Sequence, residues 1–152
     1  MKSQRDWDEF YLSICDLISN QSYAEDRKVG AIIVKDDNII SFSYNGTPRK
    51  TDNDTQSNIV LHAEAQAIAK VARTNSSTID ATLYCTLSPC IDCSKLIYSV
   101  GIRRVVYKYL YKDTIGLDFL RINNVGINQN DGRNNLAESA WIANTGLLKD
   151  DF

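Results

Sequence analysis

The sequence predicts an α/β domain, and two alternating patterns carry that prediction. Apolar, β-branched runs recur at about residues 29–34, 39–44, 81–87 and 102–107. Segments of helical period stand between the later runs, at about 62–73 and 90–100. The first two runs flank the turn-like Lys35-Asp36-Asp37-Asn38 and read as a β-hairpin. Strands alternating with helices imply a mostly parallel part of the sheet, joined to an antiparallel hairpin and covered on both faces.

Taken in order, Trp7, Phe10, Tyr11, Ile14, Leu17 and Ile18 recur at helical spacing. They predict an amphipathic helix over about 6–19, with that stripe as core. Asn20 to Arg27 is polar and reads as a loop or helix end. Asn45-Gly46-Thr47-Pro48-Arg49 closes the hairpin, and 50–58 is a polar loop without apolar period. From His62 to about Arg73 helix formers dominate, with Ala65, Ile68, Ala69 and Ala72 on one stripe. Asn75-Ser76-Ser77 breaks that helix. Ala81 to Leu87 is a buried strand. Cys90 to Val100 reads as a helix with Leu96, Ile97 and Val100 inward and Gly101 as its C-terminal cap. A strand over 102–107, a helix over about 114–122 and a short strand over 125–127 follow. A further short helix is expected around Leu136–Ala143. With no internal repeat and no linker, the 152 residues read as one domain, 129–152 being a C-terminal extension.

Composition narrows the function classes. Lys+Arg 17 against Asp+Glu 19 leaves −2, which argues against a protein that coats nucleic acid but leaves room for a local phosphate pocket. No apolar run approaches a membrane span, and Met1-Lys2-Ser3-Gln4-Arg5-Asp6 lacks the apolar stretch of a secretory signal. The expected location is a cytosol. There the four cysteines do not read as a disulfide framework. Cys15 and Cys85 fall in apolar patterns, as buried small residues do.

Cys90 and Cys93 have metal-like spacing, and His62 is the only histidine. Three ligands of nitrogen and sulfur suit zinc that keeps its fourth position for water. A structural zinc would need a fourth Cys or His. Cys85 is the one rival, in an extended run away from the helix start that carries Cys90. Each ligand stretch sits at a predicted helix start, where the dipole favours thiolate. Glu64 follows His62 by two residues, close enough to carry protons for a metal-bound water without ligating. A lone C-x-x-C is weak evidence, and an early Glu is often only a favourable dipole contact. H-x-E followed by P-C-x-x-C, each in strand–helix context, is the specific pattern.

These residues resemble the zinc-dependent cytidine deaminase superfamily: H-A-E at 62–64, S-P-C-I-D-C-S-K-L-I at 88–97 and G-I-R-R-V-V-Y at 101–107. Four more stretches resemble its dCMP deaminase branch, especially the bacteriophage and bacterial kind. They are K-V-G-A-I-I-V-K-D at 28–36, S-Y-N-G-T-P-R at 43–49, A-T-L-Y-C-T-L-S-P-C at 81–90 and Y-K-D-T-I-G-L-D-F-L at 111–120. The resemblance covers about residues 7–127. It implies a three-layer αβα sandwich with a five-stranded mixed sheet. It also implies hydrolysis of the amidine C–N bond of dCMP, giving dUMP for thymidylate synthesis and ammonia. Glu64 would pass a proton from water to N3 while the hydroxide attacks C4. Ala63 and Ser88 would lie against the base, Asn45 would bond the deoxyribose or the base edge, and Tyr111 would line the sugar–phosphate end.

At the phosphate end this chain departs from its relatives: Asp26 stands where some have Arg, and Lys112 follows Tyr111 where Arg is common. Lysine neutralises phosphate without gripping it bidentately. Ser22, Arg27 and Lys112 are the candidates there, each with surface exposure as the competing explanation. The resemblance further implies a homo-oligomer, a hexamer above all, activated by dCTP and inhibited by dTTP with Mg2+ on the nucleotide. Gly46 and Arg49 are candidates for that effector site. Relatives with a second zinc carry extra Cys and His in a long insertion, so one zinc per subunit is expected here. The competing substrates are cytidine or deoxycytidine, or a base flipped out of nucleic acid.

Overall fold

A computed structural model describes residues 1–46 and 60–132. The helix expected around Leu136–Ala143, the 50–58 loop and Arg49 lie outside the described residues. The elements are α1 (Gln4–Ser19), β1 (Gly30–Lys35), β2 (Asn38–Tyr44), α2 (Ala63–Val71), β3 (Thr82–Leu87), α3 (Ile91–Ser99), β4 (Arg104–Tyr109), α4 (Ile115–Ile122) and β5 (Gly126–Gln129). The five strands form one sheet in the order β2-β1-β3-β4-β5. β1 pairs antiparallel with β2 and β3, while β3, β4 and β5 run parallel. The mixed five-stranded sheet expected from the sequence is therefore present.

The hairpin turns where the sequence places it. Asp36 and Asp37 take φ of 50° and 63°, the left-handed pair of a tight two-residue hairpin loop. β2 is an edge strand. Lys70 of α2 reaches it, donating from Nζ to the Phe42 carbonyl at 2.5 Å and lying 4.4 Å from the Phe42 ring centroid.

One face of the sheet carries α2, α3 and α4 over a core that includes Ile33, Leu83, Val105, Tyr107, Ile97 and Leu120. The other face carries α1 over Ile32, Val34, Tyr84 and Val106. α1 begins at a capping box, in which Ser3 and Asp6 satisfy each other's backbone N–H groups. Its buried line overlaps the expected stripe only in part: Tyr11 is buried, and Ile14 and Ile18 pack against this core. Asp8, Tyr11, Leu12, Cys15 and Ser19 face the sheet, whereas Trp7, Phe10 and Leu17 are 46%, 50% and 69% exposed.

The physical reason is charge. Arg104 and Lys108 of β4 pair with Asp8 and Asp16 of α1. Eight residues of helix advance about 12 Å and four residues of strand about 13 Å, so the two pairs fit one docking register. Gly30 lets the helix come close, since a Cβ there would sit 2.1 Å from the Cys15 carbonyl oxygen.

The other helices also turn from the expected stripes. α2 buries Ala63, Glu64, Ala67 and Val71; of the expected stripe, Ile68 packs against the core, while Ala69 and Ala72 are exposed. α3 buries Cys93, Ser94 and Ile97 and leaves Leu96 exposed, Gly101 at φ +79° then ending it. In both helices the face that carries the polar site residues is the buried one. Among the described residues no helix is long and apolar enough to cross a membrane.

Candidate active site

The site forms at the carboxyl end of β3, against the N-termini of α2 and α3. His62 is the N-cap of α2 and Cys90 the N-cap of α3, both with extended backbone. Helix geometry then fixes the rest. Glu64 falls in the first turn of α2, and Cys93 three residues into α3, where its N–H donates to Cys90 Sγ at 3.5 Å.

His62 Nδ1 lies 3.5 Å from Cys90 Sγ and 3.5 Å from Cys93 Sγ. The three ligand atoms all fall within 4.8 Å of one another. Tetrahedral zinc, with bonds near 2.1 Å to nitrogen and 2.3 Å to sulfur, separates such atoms by about 3.6 Å. The residues fit zinc. Cys85 stands apart, buried in β3 with its Sγ toward the Val106 carbonyl. Burial pushes the Cys93 thiol far up, with Glu64 and then Cys90 adding to it. A cation reverses that balance and makes the thiolate the stable form.

Glu64 is 3% exposed. Burial raises its carboxyl above the usual range, against a lowering by its own backbone, by His62 and by Cys93. A buried carboxyl that takes a proton more readily than usual thus lies beside the three-ligand group.

A cavity of about 510 Å³ opens above these groups, lined among others by Asn45, His62, Ala63, Glu64, Ser88, Cys90, Arg27, Tyr111 and Lys112. The expected base and sugar residues are thus brought together with two cations. Arg27 lies over the Tyr111 ring, 5.3 Å from its centroid. Ser88 accepts from the Tyr111 N–H through Oγ at 2.7 Å, so it joins the end of β3 to the mouth. Ser22 is not among the lining residues. Its hydroxyl donates to the Asn45 carbonyl at 2.7 Å and accepts from the Ala24 N–H. Gly46 is not among the lining residues either, and pairs with Leu61 through two backbone bonds.

Sequence reasoning missed Glu25 at the rim and the apolar walls Val29, Val60 and Leu87. Val29 and Leu87 sit in apolar runs that read as core. Leu87 ends β3 at the carboxyl edge of the parallel strands, where such a sheet opens toward its ligand, and Val29 precedes β1, whose antiparallel run starts at the same edge; that edge was the available signal.

Comparison with known proteins places this geometry. The model of the cytidine and deoxycytidylate deaminase zinc-binding region matches residues 5–109. The deoxycytidylate deaminase of Mycobacterium phage D29 is 38% identical over 125 residues, spanning 69% of this chain and 96% of its own. That of Saccharomyces cerevisiae is 32% identical over 121 residues, 70% of this chain and only 38% of the yeast protein. The crystal structure of the cyanophage S-TIM5 dCMP deaminase in complex with dCMP and dUMP superposes with a TM-score of 0.78 at 34% identity. It covers 85% of this chain and 100% of that one. The family's zinc-binding region runs through both helix starts, and phage enzymes match over nearly their whole length. This chain therefore belongs to the zinc-binding cytidine and deoxycytidylate deaminases, on the dCMP deaminase branch.

Proposed function

We propose that the cavity takes dCMP and converts it, with one water, to dUMP and ammonia. The observation that carries this reading is the buried Glu64 beside a three-ligand zinc group, at the foot of a cavity whose mouth holds Arg27, Tyr111 and Lys112. The S-TIM5 relative, solved with dCMP and dUMP, supports it.

When bound by His62, Cys90 and Cys93, zinc supplies a water of lowered pKa as the nucleophile for C4. Glu64 takes the proton of that water and delivers it to N3, then helps protonate the departing amine. Val29, Val60 and Leu87 form apolar walls for the pyrimidine, with Ala63 and Ser88 against its edge. Asn45 faces the deoxyribose. Arg27 and Lys112, neither ion-paired among the described residues, take the 5′-phosphate; Ser22 supports their loop from behind. Asp26 and Glu25 at the same rim weaken the grip relative to an arginine pair.

Regulation is part of the reading. dCTP activates and dTTP inhibits, with Mg2+ on the nucleotide, in a homo-oligomer for which a hexamer is favoured. Gly46 and the Arg49 segment serve the effector, and their nearness to Asn45 in the chain supports a route to the substrate.

Ammonia release from dCMP, deoxycytidine and dCTP in parallel tests the substrate. Preference for dCMP is expected; preference for deoxycytidine overturns the reading in favour of nucleoside deamination. Turnover of dCMP titrated with dCTP and dTTP tests the regulation, and indifference to both removes it.

A further inference from the structure

Asn45 stands at a crossing of hydrogen bonds. Its backbone N–H donates to the Val29 carbonyl at 3.1 Å. Its Oδ1 accepts from the Val29 N–H at 2.8 Å, and its Nδ2 donates to the Arg27 carbonyl at 2.7 Å. With the Ser22 hydroxyl on its own carbonyl, every polar group of Asn45 is engaged with the 22–29 segment. That segment carries Arg27 to the cavity mouth.

Gln66 braces the residues on both sides of Asn45, beside the strand pairing of Tyr44 with Gly30 and of Gly46 with Leu61. Its single amide nitrogen donates to the Gly46 carbonyl at 2.8 Å and to the Tyr44 carbonyl at 3.2 Å, the residues on either side of Asn45. An amide –NH2 has two hydrogens, and here both go to one three-residue segment. Its Oε1 accepts from Ser43 at 3.4 Å. Gln66 belongs to α2, and its own N–H donates to the His62 carbonyl at 3.0 Å. One helix start therefore presents a metal ligand, a proton carrier and a brace on the strand exit, at residues 62, 64 and 66.

We infer that Gln66 is a positioning residue, which sets the distance from the zinc end to the phosphate end of the cavity by fixing Asn45 and, through it, the Arg27 loop. Gln66 does not line the cavity and touches no reacting atom. The inference rests on the reading that Arg27 serves the 5′-phosphate. It deepens that reading by naming what holds Arg27 in register with the zinc group. A substrate gripped at both ends needs both ends at one spacing, and a slack loop loses binding before it loses chemistry.

The test compares Gln66→Met and Gln66→Glu, which keep the side-chain length and remove the donors, with Arg27→Ala and with the Gln66→Met/Arg27→Ala double variant. Each Gln66 variant is expected to hold one zinc per chain and to keep kcat within about twofold. Its KM for dCMP rises about tenfold, the size of roughly one net hydrogen bond. Arg27→Ala raises KM likewise, and the double variant loses less than the product of the two single losses, because the part of the Gln66 effect that runs through Arg27 is already gone. Parallel loss of kcat in both Gln66 variants, or losses that multiply in the double variant, overturns the inference. An unchanged KM in Arg27→Ala overturns the phosphate reading itself. A raised KM in Arg27→Ala with none in the Gln66 variants overturns the inference alone.

Discussion

Asp8 and Arg104 meet as a two-pronged ion pair, Nη1 to Oδ1 at 3.0 Å and Nη2 to Oδ2 at 2.5 Å. The carboxylate also accepts from the Tyr84 hydroxyl at 2.7 Å and from Gln4 at 3.0 Å, and Arg104 Nε donates to Asn128. The pair thus ties α1 to β3, β4 and β5 on the face of the sheet away from the zinc group. Removing Asp8 alone strands a mostly buried guanidinium. Asp8→Ala should lower unfolding stability by about 3 kcal/mol in urea titrations, with zinc content unchanged. Replacing both partners by apolar residues of similar size should recover most of that loss.

Glu64→Gln separates chemistry from fold. The amide keeps the shape and the burial of the side chain, so the fold and the thermal midpoint should be kept. Zinc should remain at one per chain. Turnover should fall about 10²- to 10⁴-fold, the usual contribution of a positioned proton carrier. Unchanged turnover would remove Glu64 from the mechanism.

Zinc removal should show in stability as well as rate. The ligands come from α2 and α3, so the ion cross-links two helix starts. With free zinc 100-fold above its dissociation constant, the folded state gains about 2.7 kcal/mol over the metal-free chain. A chelator should lower the thermal midpoint and stop ammonia release together, and added zinc should restore both.

Gly116 makes the closest approach to the cysteine turn. A Cβ there would lie 2.5 Å from the Pro89 carbonyl oxygen and 2.7 Å from the Cys90 carbonyl carbon. Gly116→Ala should cost about 2 kcal/mol and speed zinc loss to a chelator, because the backbone that must yield holds a ligand. Gly126→Ala, whose nearest contacts are at 3.7 Å, is the control and should change neither.

The zinc group was legible because its chemistry restricts residue types and its spacing is local. His62 with Glu64, and Cys90 with Cys93, are placed by helix geometry within one turn. The hairpin was legible for the same reason, in Asp36 and Asp37. β5 was harder. Asn128 and Gln129 give it no apolar pattern, and it forms by parallel pairing with β4.

The face of α1 was legible only in part, in Tyr11, Ile14 and Ile18. Asp8 and Asp16 count as solvent-seeking in any periodicity, and the cations that draw them to the sheet lie more than ninety residues away. The same limit hid the engagement of Asn45. An asparagine beside a glycine reads as a turn, and nothing local shows that Arg27, Val29 and Ser22 will use every polar atom it has.

The outer edge of the sheet has its own consequence. β2 offers backbone groups to any passing strand, and its exposed Ile39 and Phe42 would make such an encounter adhesive. Lys70 stands at that spot, its ammonium on the Phe42 carbonyl and beside the ring. A strand docking there would have to bury or displace a charge. Among the described residues, that charge sits where a further strand would pair with β2, and it disfavours such pairing.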